Sequence, residues 1–242
     1  MSSLVAGAEP LSMPEEQFRR SLATTAGQPR GLAISLLRRL GRPHRLSAFL
    51  RELTDDDRRT SAVAARSHRH PLGFDKFILA TFGELGQLRM HVWWPEQVRK
   101  REHVHNHRFH FASAVVIGQL ACHYYRAADG GQRLLQFRES SRSEDSAWRF
   151  EAVGFETVSE TLTVHLTAGS SYSMSEDLLH RVNATSTTTV TLMLQGRSSR
   201  DWSSVLVGAE GQLPERLERR CFEPDELRCK LATLGHHLAG QG

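Results

Sequence analysis

The spacing of hydrophobic residues along the chain changes near residue 70. Before that point, leucine, isoleucine and phenylalanine recur at intervals of three and four residues, which is the spacing of one helix face. We predict helices over residues 32–40 and 46–53, with Ser12 starting an earlier helix through a capping box and Thr54 capping a later one. Residues 1–70 are therefore predicted to form a helical extension.

Between residues 71 and 210 the pattern becomes that of β-strands. Short runs rich in valine, leucine, phenylalanine, threonine and tyrosine alternate with turn residues, among them Gly83, Gly86 and the Asp-Gly-Gly at 129–131. Many short strands at this spacing are typical of an antiparallel sandwich or barrel. Residues 211–242 form a tail in which a helix is predicted from Glu223 to Leu238, so we predict one mainly β barrel with helices before and after it.

Composition narrows the class of protein. The chain has 242 residues, of which 39% are hydrophobic, enough for a packed core in one large domain. No run approaches the roughly 20 apolar residues of a membrane helix, and the N-terminus lacks the pattern of a signal peptide. The arginines that give the net charge of +4 are not interleaved with aromatic residues, so nucleic acid is not an expected partner. Three cysteines without a Cys-x-x-Cys spacing favour a cytoplasmic protein.

The segment 102–110 is rich in histidine, with His103, His105, His107 and His110. Alternate residues of a strand face one side, so the first three of these rings would point the same way. Imidazole is a common ligand of Fe, Zn, Ni and Cu. We therefore predict a metal site in this segment, with either His103 and His105 or His105 and His107 as the ligand pair. His110 is a further alternative ligand or a partner that orients another ring.

Two spacings in the chain resemble those of the cupin family. The pair His105-x-His107, followed by Gly118, is similar to the first cupin motif, and the segment 169–183, which contains His180, is similar to the second. The resemblance implies a double-stranded β-helix, or jelly-roll, barrel. It also implies that His105, His107 and His180 hold the metal ion.

Phe111 stands where the first cupin motif usually has an acid. The implied ligand set is therefore three neutral imidazoles with open positions, as a catalytic rather than a structural metal requires. Within the cupins the chain is most similar to the cysteine dioxygenase-like branch, which implies Fe(II), with Zn, Mn or Ni as the alternatives. Animal members have a cysteine in place of Phe111, and Met193 and Gln195 replace the histidine and tyrosine of that branch's relay. These departures indicate a substrate other than free cysteine.

Four other side chains are candidates for contact with a substrate: Lys76, Arg89, Tyr124 and Gln195. The resemblance places Lys76 where the family holds a substrate carboxylate with an arginine. Arg89 alternates with hydrophobic residues on its strand, so it faces either the barrel interior or a surface carboxylate. Tyr124 and Gln195 lie on predicted strands that approach the metal, and for the tyrosine a packing role is the alternative.

Together these observations predict a mononuclear non-haem Fe(II)-dependent oxygenase. It would act with O₂ on a small amino-acid-like or carboxylate-bearing substrate. One alternative is a non-oxidative cupin enzyme, an isomerase, decarboxylase or hydrolase that uses Zn, Mn or Ni as a Lewis acid. The other is a ligand-binding sensor. Cupin barrels often pair, so a homodimer is one expected assembly.

Overall fold

A computed structural model describes residues 15–24, 31–96, 102–140, 146–186 and 188–240. Four helices come first and one comes last, in agreement with the predicted helical regions: α1 (Glu15–Thr24), α2 (Gly31–Leu40), α3 (Pro43–Thr54), α4 (Asp57–Ala64) and α5 (Pro224–Ala239). The predicted capping residue Ser12 lies outside the described residues. No helix in the described part combines the length and the apolar character needed to cross a membrane.

The start of α4 differs from the prediction. Thr54 belongs to the last turn of α3, where its hydroxyl donates to the carbonyls of Leu50 and Arg51 at 3.1 and 2.9 Å. Asp56 caps α4 instead, because its backbone is extended and its carboxylate accepts from the backbone N–H of Arg59 at 3.0 Å. The predicted cap was therefore wrong by two residues.

Twelve strands in the described part form two antiparallel sheets of six strands each. In chain order the strands are β1 (His68–Arg69), β2 (Asp75–Thr81), β3 (Gln87–Trp93), β4 (Val104–His105), β5 (Phe109–Ile117), β6 (Gln119–Ser140), β7 (Ala147–Thr167), β8 (Ser171–Met174), β9 (Leu179–Ala184), β10 (Thr189–Ser198), β11 (Trp202–Gly208) and β12 (Arg216–Glu218). The first sheet has the order β1-β2-β3-β10-β5-β8 and the second the order β11-β4-β9-β6-β7-β12. This architecture is mainly β, as predicted.

The strands β6 and β7 are longer than the turn residues suggest. The Asp-Gly-Gly at 129–131 does not end a strand, because β6 and β7 pair on both sides of it. Ala127 and Gln132 both lie opposite Val158, so the residues between them form a bulge in the ladder. Glycine and aspartate are accepted in a bulge as readily as in a turn, which explains why the sequence was misread there.

The helices pack against one face of the first sheet. In β3, Leu88, Met90 and Val92 are fully buried in the core that the sheet shares with the helices. Because side chains alternate along a strand, Arg89 and His91 point to the opposite face, towards the second sheet. The first sheet therefore supplies apolar residues to the helical layer and polar residues to the interior between the two sheets.

Candidate metal centre

His105, His107 and His180 meet at the centre of the second sheet. His105 is on the two-residue strand β4, where it lies opposite His180 of β9. His107 lies two residues beyond the end of β4, and one ring nitrogen from each histidine lies within 4.8 Å of the other two. His105 and His180 are 8% and 2% exposed, and His107 is half-buried. The structure therefore brings together the three side chains that the two motifs single out.

Hydrogen bonds to backbone carbonyls orient two of the three rings. Nδ1 of His105 lies 2.9 Å from the carbonyl oxygen of His103, and Nδ1 of His180 lies 2.9 Å from that of Leu178. A carbonyl oxygen can only accept, so in both rings the proton is on Nδ1 and the lone pair is on Nε2. This is the tautomer that a ring needs to bind a metal through Nε2, with the second nitrogen fixed by a partner.

Burial keeps all three rings neutral. It lowers the pKa of His105 to about 4 and that of His180 to about 3, and it lowers the pKa of His107 well below the usual value. Neighbouring imidazoles add to the effect at each ring. Since a metal ligand must be unprotonated, the set is ready to bind a cation at neutral pH. Three neutral imidazoles suit Fe, Zn and Ni, so the residues present fit a resident metal ion.

An apolar ring occupies the position of the missing acid. Phe111 is 2% exposed, and its centroid lies 4.9 Å from that of His107 in an edge-on arrangement. Phe109 stacks on the same imidazole at 5.2 Å. These rings form one wall of the site and supply no ligand. Among the described residues, the metal-binding group contains the three histidines and no carboxylate.

The two alternative histidines lie outside this group. His103 is exposed and contributes its backbone carbonyl to His105. Nδ1 of His110 contacts the carboxylate of Glu176. The structure therefore gives both residues roles other than membership of the cluster.

Arg200, which the sequence did not single out, fastens the segments that carry the ligands. One guanidinium nitrogen donates to the backbone carbonyls of His107 and Glu176, both at 2.7 Å. The other terminal nitrogen donates to the carboxylate of Asp177 at 2.8 Å. His107 is thus tied to the turn that leads into His180. Arg200 has no periodic pattern around it that would have indicated this role.

Replacing Arg200 with methionine is expected to weaken metal binding by about 10- to 100-fold, the usual cost of losing a contact that orients a ligand. The reason is that the variant loses the three charge-assisted hydrogen bonds that tie His107 to the turn before His180, while the histidines themselves remain. Competition titration with a coloured chelator measures the metal Kd. Arg197→Met is the matched control, because Arg197 is on the surface and its nearest carboxylate, on Glu84, is 3.9 Å away. Equal affinities in both variants would refute this role.

A cavity of about 1400 Å³ lies beside the histidines, and the two sheets line it together. Lys76, Arg89 and Gln195 line it along with His105 and His107, so three of the four predicted substrate-contacting residues share a cavity with two of the candidate ligands. For Arg89, the structure selects the barrel interior over a surface carboxylate.

Tyr124 is placed differently. It lies opposite His180 across β6 and β9, and it packs on an apolar cluster that contains Phe111. Burial raises the pKa of its phenol to about 12, so the group is protonated at neutral pH. Tyr124 is thus next to a candidate ligand but is not among the residues that line the cavity.

Two further cavity residues, His68 and His70, were missed in the sequence. They alternate around Arg69, so the His-x-His spacing was a signal that could have placed both rings on one side of a strand. Both residues lie at the predicted boundary between the helices and the barrel, where neither the helical nor the strand spacing is clear.

Glu102 is a buried acid close to the ligand strands. Its carboxylate accepts from the backbone N–H of Val182 at 3.3 Å, and its other oxygen has no partner. Burial raises the pKa of Glu102 to about 8, and the backbone N–H of Val182 and the nearby Trp93 side chain oppose the shift. Because the pKa of this carboxyl group is higher in the folded than in the unfolded protein, the free energy of unfolding falls as pH rises through that range.

Substituting Glu102 by glutamine is therefore expected to leave stability similar at pH 5 and to raise it relative to the wild type at pH 8. Glutamine keeps an acceptor for Val182 but cannot ionise. Urea unfolding of both proteins at pH 5, 6.5 and 8 gives the free-energy difference at each pH. A difference that does not grow with pH would contradict the assignment.

Comparison with known proteins gives remote structural matches only. No protein-family model matches the chain, and no curated protein matches it. Among solved structures, a hydroquinone 1,2-dioxygenase in complex with Cd²⁺ and 4-hydroxybenzonitrile matches at 10% identity and a TM-score of 0.32, over 50% of this chain and 63% of that one. The chain thus spans less than two thirds of that dioxygenase chain.

Two further matches are to cupin proteins without a stated activity. A cupin-2 domain protein from Shewanella frigidimarina is 12% identical over 50% of this chain and 78% of that one, with a TM-score of 0.28. A cupin-like protein from Thermotoga maritima is 12% identical over 68% of this chain and 92% of that one, with a TM-score of 0.29. The predicted mainly β class, with N-terminal helices and a C-terminal helix, is confirmed by the two antiparallel sheets and the five helices of the described residues.

Proposed function

We propose that the protein is a mononuclear non-haem Fe(II)-dependent oxygenase in which His105, His107 and His180 hold the iron. The observation that supports this is the cluster of three neutral imidazoles with Phe111 in place of an acid. Neutral ligands leave the full charge of the cation available to anionic substrates. When bound, Fe(II) supplies the activation of O₂, which protein side chains alone do not provide.

The protein's own residues have three tasks in this proposal. The carbonyls of His103 and Leu178 fix the two histidine rings in the ligand tautomer. The apolar rings of Phe109 and Phe111 exclude water on one side of the site. In the cavity, Lys76 is available to hold a carboxylate of the substrate, a small amino-acid-like or carboxylate-bearing molecule.

The substrate is proposed to differ from free cysteine. In the first sheet, Thr191, Met193 and Gln195 lie along β10, and none of them has the phenol or imidazole of the relay in the cysteine dioxygenase-like branch. Gln195 offers an amide to the cavity, and its Oε1 has no partner within the described residues.

We further place the protein in the cytoplasm, because its three cysteines form no disulfide.

Oxygen consumption by reconstituted protein tests the proposal. Untagged protein is prepared without oxygen, loaded with one equivalent of Fe(II) and mixed with a panel of amino acids, thiols and hydroxy acids in an oxygen electrode. At least one substrate is expected to stimulate O₂ uptake, with none in the zinc-loaded protein. Stoichiometric iron binding without uptake across the panel would count against an oxygenase.

A second candidate is a non-oxidative cupin enzyme that uses Zn, Mn or Ni as a Lewis acid. It is favoured by the same observation, since three neutral imidazoles also suit these metals. Metal analysis of protein purified without added metal separates the two candidates. Native zinc or nickel, with product formed from a substrate under nitrogen, would favour the second.

A further inference from the structure

A row of polar side chains crosses the first sheet on the face that lines the cavity. His68 of β1 lies opposite Lys76 of β2, and Lys76 lies opposite His91 of β3. Directly opposite residues in antiparallel strands have Cβ atoms about 5 Å apart and point to the same face. Arg89 is two residues from His91 on that face. All four residues line the cavity, on a different sheet from the three candidate metal ligands.

The charge around this row is strongly positive. Seven basic and two acidic residues line the cavity in the described part of the chain. Of the acids, Glu139 lies within the electrostatic reach of Arg108, Lys76, Arg219 and Arg89, so its single charge is outnumbered. Burial and then the neighbouring cations lower the pKa of Arg89 to about 9. An anion in this space would be attracted by the excess of positive charge along the lining.

Lys76 has no hydrogen-bond or ion-pair partner within the described residues. Arg89 donates from Nε to the side chain of Gln87 at 3.1 Å and packs over the ring of Phe109, and its terminal nitrogens donate to no acceptor within the described residues. Burial, and then the charge of Arg89, lower the pKa of Lys76 well below its usual value, so an unpaired ammonium group is disfavoured there and an anionic ligand would stabilise the protonated form. These two side chains can therefore bind a carboxylate with charge-assisted hydrogen bonds.

His68 adds a hydrogen-bond acceptor without a partner to this row. Its Nδ1 lies 3.2 Å from the carbonyl oxygen of Arg66, so Nδ1 carries the proton and Nε2 is an acceptor. The ring is 1% exposed, is held edge-on against Trp148 at 5.3 Å, and its Nε2 has no partner. Burial keeps this imidazole neutral, with a pKa of about 2. A ligand that satisfies Nε2 must bring a hydrogen-bond donor.

We propose that the first sheet carries a subsite for a hydroxy acid, in which Lys76 and Arg89 bind the carboxylate and Nε2 of His68 accepts from the hydroxyl. His91, 7% exposed and also without a partner on Nε2, gives the subsite a second polar contact. The inference rests on the proposed function in one respect only, namely that the bound hydroxy acid would react at the metal end of the same cavity. Binding at this subsite needs no metal.

Calorimetric titration of chelator-treated, metal-free protein tests the subsite with three matched probes. These are 3-hydroxybutyrate, butyrate, which lacks the hydroxyl, and 1,3-butanediol, which lacks the carboxylate. We expect 3-hydroxybutyrate to bind best and butyrate to bind about three- to tenfold more weakly, the worth of one neutral hydrogen bond. The diol is expected to bind at least about tenfold more weakly. Failure of the wild type to bind any probe, or equal binding of all three, would overturn the subsite.

Two variants assign the two contacts. Lys76→Met is expected to lose the preference for carboxylates over the diol, and His68→Phe to bind butyrate and 3-hydroxybutyrate equally. Arg58→Met is the control, because it removes the same charge from an exposed position on α4. Thermal melts show whether each variant is folded, and wild-type binding by a folded Lys76→Met protein would also refute the subsite. Metal content and O₂ uptake are measured separately, so an inactive metal site with intact probe binding would reject the proposed function alone.

Discussion

Replacing either His105 or His180 with alanine is expected to abolish stoichiometric metal binding. Each substitution removes one of three ligands, and two ligands leave the ion bound mainly by water. The metal affinity should fall by more than about 100-fold, because 100-fold is the upper end of the cost of losing a residue that only orients a ligand. Elemental analysis of untagged protein after dialysis measures the metal per chain directly.

The neighbouring histidines provide the matched controls for this experiment. His103→Ala keeps the carbonyl that orients His105, and His110→Ala removes a ring that is paired with Glu176. Both variants are expected to retain the wild-type metal content. Unchanged metal in His105→Ala and His180→Ala, or equal losses in all four variants, would show that the three-histidine cluster is not the site.

The second large effect is expected at Gly118, in the turn between β5 and β6. Its φ is +80°, and a Cβ atom there would lie 2.4 Å from the carbonyl oxygen of Thr188 and 2.7 Å from Cα of Thr189. Backbone atoms cannot move away from such a contact without disturbing β10. Gly118→Ala is therefore expected to lower the free energy of unfolding by more than about 3 kcal/mol. Urea denaturation measures this as a shift of the midpoint.

The loss of stability expected at Gly118 has two causes, the left-handed backbone conformation and the crowding around a Cβ atom. A substitution at Gly169 separates them. Its φ is +86°, but a Cβ atom there would meet nothing within 4 Å. Gly169→Ala should therefore cost only the left-handed backbone conformation, about 1 kcal/mol. Similar losses in the two variants would mean that the crowding at Gly118 is unimportant.

Local patterns in the sequence predicted much of the fold and part of the site. The alternation in β3 correctly separated Leu88, Met90 and Val92 from Arg89 and His91, since a strand has only two faces. The helical spacing before residue 70 likewise gave α2 and α3. The two cupin-like spacings singled out three histidines that the structure brings together, although they are up to 75 residues apart in the chain.

What the sequence missed depends on contacts between distant segments. Arg200 acts through carbonyls of His107 and Glu176, and a backbone acceptor leaves no trace in residue type. The tautomer of His68 is likewise set by the carbonyl of Arg66. The bulge in β6 was read as a turn because one sequence signal serves both structures.

The two walls of the cavity have a consequence for how this protein can change over evolution. The candidate metal ligands come from the second sheet, and the polar row of His68, Lys76 and His91 comes from the first. No residue serves in both sets. Substitutions in the row can therefore alter which molecule is accepted while the metal is retained, so relatives with the same three histidines need not share a substrate.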